Sequence, residues 1–146
     1  MSRRLARETA LQVLYQIDIT GETQNIQEII QNWAAEFNVS AKNMGFTQQL
    51  VIGTIEKRED IDQKISRTAH EWALDRMNTV DRNLMRLAIY EMNYCPETPQ
   101  KVTLNEAIEI AKRFGGEDSA RFINGILDKV MDASEKLEKE HKGNGE

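Results

Sequence analysis

Apolar positions in this chain recur at intervals of three and four residues almost from end to end, the spacing that gathers them on one face of a helix. Ala10, Val13, Leu14 and Ile17 form the first stripe and predict a helix over about 3–19, ended by Gly21. Ile26, Ile29, Ile30, Trp33 and Phe37 predict a second over about 25–37. Phe46, Leu50, Val51 and Ile55 mark a third over about 42–57, where Gly53 implies a weak spot or a close helix contact. Ile61, Ile65, Ala69 and Trp72 share a fourth face over about 60–72, and a short link covers about 73–79. The fifth helix starts near Thr79 or Asp81, either of which suits a cap. Its face is Leu84, Leu87, Ala88 and Met92, and Pro96 and Pro99 stop it. Thr103 with Glu106 three residues on reads as a capping box for the sixth, which continues through Leu104, Ala107, Ile108, Ala111 and Phe114 to Gly115-Gly116. The seventh is expected from Asp118 or Ser119 through Phe122, Ile123, Ile126, Leu127 and Val130.

No stretch alternates apolar and polar for long enough to make a strand. The expectation is an all-α fold of about seven helices in a single domain over 1–133. Lysine and glutamate alternate from Ser134, and the charged tail over 134–146 is expected to fray from helix into disorder.

Composition narrows the function classes. The 146 residues carry 29% charged side chains and a net charge of -5, so the surface as a whole does not attract nucleic acid. Any such site must be local, or be completed by a basic partner. Cys95 is the one cysteine, which excludes an internal disulfide and a cysteine-rich metal cluster and suits a reducing cytoplasm. No apolar run has the length of a membrane span.

Candidate chemistry is sparse. The two histidines are His70 and His141. His141 falls in the charged tail. His70 has no second histidine at ligand spacing and reads as a solvent-facing helix residue. Cys95 has only His70 as a base for nucleophilic work. Gly115-Gly116 is followed by Glu117 and Asp118, whose charges repel phosphate. Neither an enzyme nor a metal or cofactor site is expected. What stands out is Arg3, Arg4 and Arg7, which precede any acid. Arg3 and Arg7 share a face, and Arg4 lies on the adjoining side with Leu11 and Tyr15. Phosphates would relieve their mutual repulsion and accept bidentate hydrogen bonds, and Tyr15 could stack a single-stranded base. The alternative is a solvated cluster in which Arg4 pairs with Glu8. Residue types alone leave both open.

Three stretches in register go further. They are Arg3-Arg4-Leu5-Ala6-Arg7-Glu8 with Ala10 to Gln16, Val80-Asp81-Arg82-Asn83-Leu84-Met85-Arg86-Leu87-Ala88-Ile89-Tyr90-Glu91-Met92, and Asn105-Glu106-Ala107-Ile108-Glu109-Ile110-Ala111-Lys112-Arg113-Phe114-Gly115, continued by Asp118-Ser119 and Phe122 to Lys129. Together they resemble the NusB family of bacterial transcription antitermination factors. The resemblance implies two small packed helical bundles and no catalysis. It implies binding of boxA RNA together with the ribosomal protein NusE, within an antitermination complex on RNA polymerase that serves ribosomal RNA operons. By motif position it assigns RNA contacts to Arg3, Arg4 and Arg7, with Tyr15, Asp118 and Phe122 as further candidates, and Lys101, just before the sixth helix, could reach phosphate. It sets Asp75 and Asp81 where NusE is met. Phe122 has a second reading as core and Asp118 as a helix N-cap. Leu5 interrupts an arginine run that is longer in many relatives, which implies weak RNA affinity alone and better affinity with NusE. Alternatives are a protein-binding adaptor, or a stand-alone relative of the RNA-binding front domain of certain rRNA methyltransferases. A homodimer built on the apolar faces is a further expectation.

Overall fold

Seven α-helices and one 3-10 turn make up the regular structure of a computed structural model that describes residues 2–69 and 74–144, with side chains over 3–69 and 74–133. They are α1 (Ser2–Thr20), α2 (Ile26–Glu36), α3 (Ala41–Glu56), α4 (Arg58–Thr68), the 3-10 turn Leu74–Arg76, α5 (Thr79–Tyr94), α6 (Gln100–Phe114) and α7 (Glu117–Asn144). No strand occurs among the described residues. His70 and Trp72 lie outside them.

The helices form two groups. α1 packs chiefly on α3, with α2 against both. α6 packs on α7 and α5, and α4 lies against α5 and α7. α5 also meets α1 and α3, so it is the element that the two groups share. A helix in that place is covered on every side. Every residue from Asn83 to Met92 is buried, including the polar Asn83, Arg86 and Glu91. The apolar side chains close into one continuous core, with Leu50, Ile61, Ile65, Leu84, Ile89 and Ile123 among those wholly enclosed. Each such side chain contributes about 1.5–3 kcal/mol by leaving water.

Local chemistry sets the boundaries. Gly116, at φ +91, takes the left-handed turn after α6, and the amides of Gly115 and Gly116 both donate to the Ala111 carbonyl. Gly53 marks the close contact: a Cβ there would stand 2.1 Å from Cζ of Tyr90, so α5 reaches α3 only because this position is bare.

Several boundaries differ from the pattern-based expectation. α5 is capped by Asn78, whose Oδ1 accepts from the amides of Val80 and Asp81, at 2.8 and 3.4 Å, so neither Thr79 nor Asp81 is the cap. α6 begins three residues before Thr103, because Pro99 is itself the N-cap residue and needs no amide hydrogen there. Its N-cap has no side-chain hydrogen bond, so the Thr103–Glu106 capping box does not form. The backbone of α7 is helical to Asn144, beyond Ser134. The sequence there sets Glu135 and Glu138 each four residues before a lysine, an order that favours helix. No described helix is long and apolar enough to cross a membrane.

Candidate nucleic-acid interface

The three arginines at the start of α1 have three different environments. One residue of helix turns the chain by about 100°, so Arg3 and Arg7 share a side and Arg4 faces elsewhere. The guanidinium of Arg3 lies 4.0 Å from the centroid of the Phe46 ring on α3, a cation–π contact at an exposed site. That of Arg7 lies 5.4 Å from the same ring but is buried. Arg7 Nε and one terminal nitrogen donate to the two oxygens of Glu91 on α5, at 2.8 and 2.7 Å. Its other terminal nitrogen reaches Glu106 Oε1 at 3.3 Å. Thr103 Oγ1 donates to Glu91 as well, at 3.1 Å. The bidentate fork fixes the geometry, and both charges are enclosed. Arg7 is therefore a strut between α1 and α5, its guanidinium already filled.

Arg4 is 45% exposed and turns toward α6, where Nε donates to Glu106 Oε2 at 3.1 Å and a terminal nitrogen meets the same oxygen. The hydrogen bond to Glu106 raises its pKa further; burial opposes this, and the charges of Glu106, Glu109 and Glu8 add to the rise. Glu8 is not its direct partner. That carboxylate is buried and pairs with Arg113, at 2.9 Å. Since Arg4 meets Glu106 and Glu8 meets Arg113, α1 and α6 run in the same direction where these long side chains link them. Lys101, exposed in the first turn of α6, thus lies at the same end of the bundle as Arg3 and Arg4. Tyr15 continues the stripe of Arg4, Glu8 and Leu11, about 16 Å along α1 from Arg4, and is 37% exposed.

A second cluster forms where α5 and α7 begin. Asp81, Asp118 and Phe122 line one cavity of about 260 Å³ with Arg76, Met77, Asn78 and Ser119. Phe122 is half-buried and packs on the edge of the core. Asp118 lies within the first turn of α7, exposed and paired with Arg121, so it is not the N-cap. Asp81 is buried. Its Oδ2 accepts from Ser119 Oγ at 3.2 Å, while Oδ1 has no partner. Burial raises its pKa from the ordinary aspartate value, opposed by the Ser119 hydrogen bond. Asp75 is exposed in the 3-10 turn. Arg82 holds that turn by donating to the Leu74 carbonyl at 3.0 Å, and it pairs with Asp18 at 2.8 Å. The cavity thus joins Asp81, assigned to partner binding, to Asp118 and Phe122, assigned to RNA. It does not include Arg3, Arg4 or Lys101.

Sequence reasoning missed the acids that answer the arginines. Glu91 falls seven residues after Leu84, on the apolar stripe of α5, and a charge in that register signals a buried partner. It also missed a second network in which Arg86, buried, pairs with Asp62 at 2.8 Å and Asp18 at 3.3 Å, with Asn83 donating to Asp18. Burial disfavours the charge on Asp18, but the hydrogen bonds from Asn83 and Arg82 and the charges of Arg82 and Arg86 outweigh it and lower its pKa. Burial pushes the Cys95 thiol up to about 11, so it stays protonated and poorly nucleophilic at neutral pH. Among the described residues no group of three or more His, Cys, Asp or Glu side chains is placed to hold a metal ion.

Comparison with known proteins agrees over nearly the whole length. A model of the NusB family matches residues 4–132. The transcription antitermination protein NusB of Desulfitobacterium hafniense (strain DSM 10664 / DCB-2) is 52% identical over 144 residues, covering 99% of this chain and 96% of that one. Among solved structures, NusB from T. maritima superposes with a TM-score of 0.83 at 36% identity, over 93% of this chain and 96% of that one. A crystal structure of the antitermination factors NusB and NusE in complex with double-stranded RNA gives a TM-score of 0.82 at 26% identity, over 90% of this chain and 97% of that one. The chain belongs to the NusB family.

Proposed function

We propose that this chain is a transcription antitermination factor that performs no chemistry of its own. It binds boxA-type single-stranded RNA as a heterodimer with NusE and supports transcription of ribosomal RNA operons, within an RNA polymerase complex in the cytoplasm. The observation that carries this reading is family membership, joined to a close structural match with a NusB chain solved with NusE and RNA. The site agrees with it. Arg3 and Arg4 on α1 and Lys101 on α6 present cations at one end of the bundle, and Tyr15 offers a ring farther along. Asp118 and Phe122 supply a second patch, while Asp75 offers an exposed carboxylate to a basic partner and Asp81 lies buried in the wall of the adjoining cavity. Arg7 serves RNA indirectly, by seating the helix that bears Arg3 and Arg4.

The test is the binding of labelled boxA-type RNA, single-stranded and as a duplex, with and without NusE across a range of salt. Tighter binding of the single strand on adding NusE is expected, and no gain refutes the reading. The pairing of Arg4 with Glu106 and the burial of Arg7 favour a second reading, a protein-binding adaptor. That reading requires unchanged RNA crosslinking when Arg3 and Arg4 become alanine. A homodimer would cover Tyr15 and Ile19, exposed four residues apart on α1, and sedimentation of the Ile19→Glu variant against the unsubstituted chain tests it.

A further inference from the structure

We propose that Glu106 is an acidic latch on Arg4: in the free chain it occupies the guanidinium that RNA would take, and an RNA phosphate binds there by displacing it. The proposal rests on the RNA-binding reading above and adds a residue that sets the affinity.

The geometry suits an exchange. Glu106 is shared between two arginines, Oε2 with Arg4 and Oε1 with Arg7. Arg7 is locked independently by its fork to Glu91. When Arg4 leaves, Glu106 therefore keeps a cationic neighbour, and no half-buried carboxylate is left without one. Arg4 is the exposed member of the set, at 45% against 18% for Glu106 and 7% for Arg7, so it is the arm free to swing. Glu8 and Glu109 lie near enough to add to the negative field around it. A phosphate approaching Arg4 thus meets acids already in its place, which fits a chain whose net charge is -5.

The latch has a signature in salt dependence. A phosphate contact made by a free cation releases counterions from RNA and adds about 0.7 to the slope of log affinity against log salt for a single strand. Because the charge of Arg7 is already matched by Glu91, a contact made by breaking the Arg4–Glu106 pair leaves one net negative charge there, which attracts a cation back. Arg4 then contributes little to the slope.

The experiment measures boxA-type RNA affinity in the presence of NusE, across salt, for the unsubstituted chain, Glu106→Gln, Arg4→Ala and the double variant. Glutamine keeps the shape and an acceptor for Arg7 while removing the charge. Expected for Glu106→Gln are roughly three- to tenfold tighter binding at low salt and a slope steeper by about 0.7. The double variant should lose both changes, a non-additivity that a purely structural role for Glu106 would not produce. Weaker binding by Glu106→Gln, with helix content retained, would overturn the latch and make Glu106 a positioning residue instead. Unchanged affinity and slope would also overturn it and leave the RNA reading intact. If the unsubstituted chain with NusE binds no RNA, both fall together.

Discussion

Replacing Arg7 with methionine isolates the strut on which the arginine segment rests. The side chain keeps much of its length and loses its charge. Arg7 supplies two of the three hydrogen bonds given to Glu91, at 2.8 and 2.7 Å, and Thr103 supplies the third at 3.1 Å. The Glu91 side chain is 1% exposed, so water cannot replace what is lost. Hydrogen bonds to charged groups contribute about 1.5–3 kcal/mol each, and breaking a buried pair from one side costs about 3–5 kcal/mol. Against a total of about 5–15 kcal/mol for a domain, that is a large share. Urea unfolding followed by far-UV circular dichroism at neutral pH should show the midpoint fall with an unchanged slope. Removing both charges, in Arg7→Met with Glu91→Leu, should restore most of the loss, because no unpaired charge then remains buried. The coupling in this double-mutant cycle should be about 2 kcal/mol or more. A loss below about 1 kcal/mol for Arg7→Met, or a double variant as unstable as the two singles added together, would refute the assignment of Arg7 as a buried strut.

Two further predictions concern α5. Gly53→Ala should destabilise the fold by about 1–3 kcal/mol, since the new methyl meets the Tyr90 ring at 2.1 Å, and a smaller residue at position 90 should recover part of the loss in the same unfolding assay. Asp81→Asn should stabilise the fold at neutral pH. Because the native carboxyl of Asp81 has a raised pKa, its protonated form favours folding below about 3.8 and that contribution is lost as pH rises through the native value. The advantage of asparagine should therefore shrink on acidification, and a difference in melting temperature that does not vary with pH would count against it.

The seven helices were legible because their apolar period is nearly unbroken, and Gly21, Pro96 and Gly115-Gly116 punctuate it where the helices end. The start of α6 was not. Thr103 and Glu106 have the spacing of a capping box, but the same spacing occurs one turn inside a helix, and only the position of Pro99 relative to the core decides between them. Both side chains work instead in the arginine network, Thr103 on Glu91 and Glu106 on Arg4 and Arg7. The central place of α5 was hidden for a related reason. Its stripe of Leu84, Leu87, Ala88 and Met92 reads as one face, yet Arg86 and Glu91 are buried too, because α1 and α4 bring charges to meet them. Periodicity reports which side of a helix turns inward. It does not report a partner 84 positions away.

In the arginine segment the same limit bears on function. As a sequence it is three cations interrupted by Leu5 in an acidic chain, which implies weak RNA affinity alone but does not say which cation is available. The turn of the helix divides them: Arg7 goes inward to Glu91, Arg3 lies over Phe46, and Arg4 meets Glu106. One is therefore spent on the fold and one is contested, and Arg3 carries no ion pair among those the structure shows. On the latch proposed for Glu106, RNA affinity comes from exchanging partners at Arg4 rather than from accumulating charge. The three positions should then respond differently to alanine: Arg3 in affinity and salt slope, Arg7 in stability, and Arg4 chiefly once Glu106 has been neutralised.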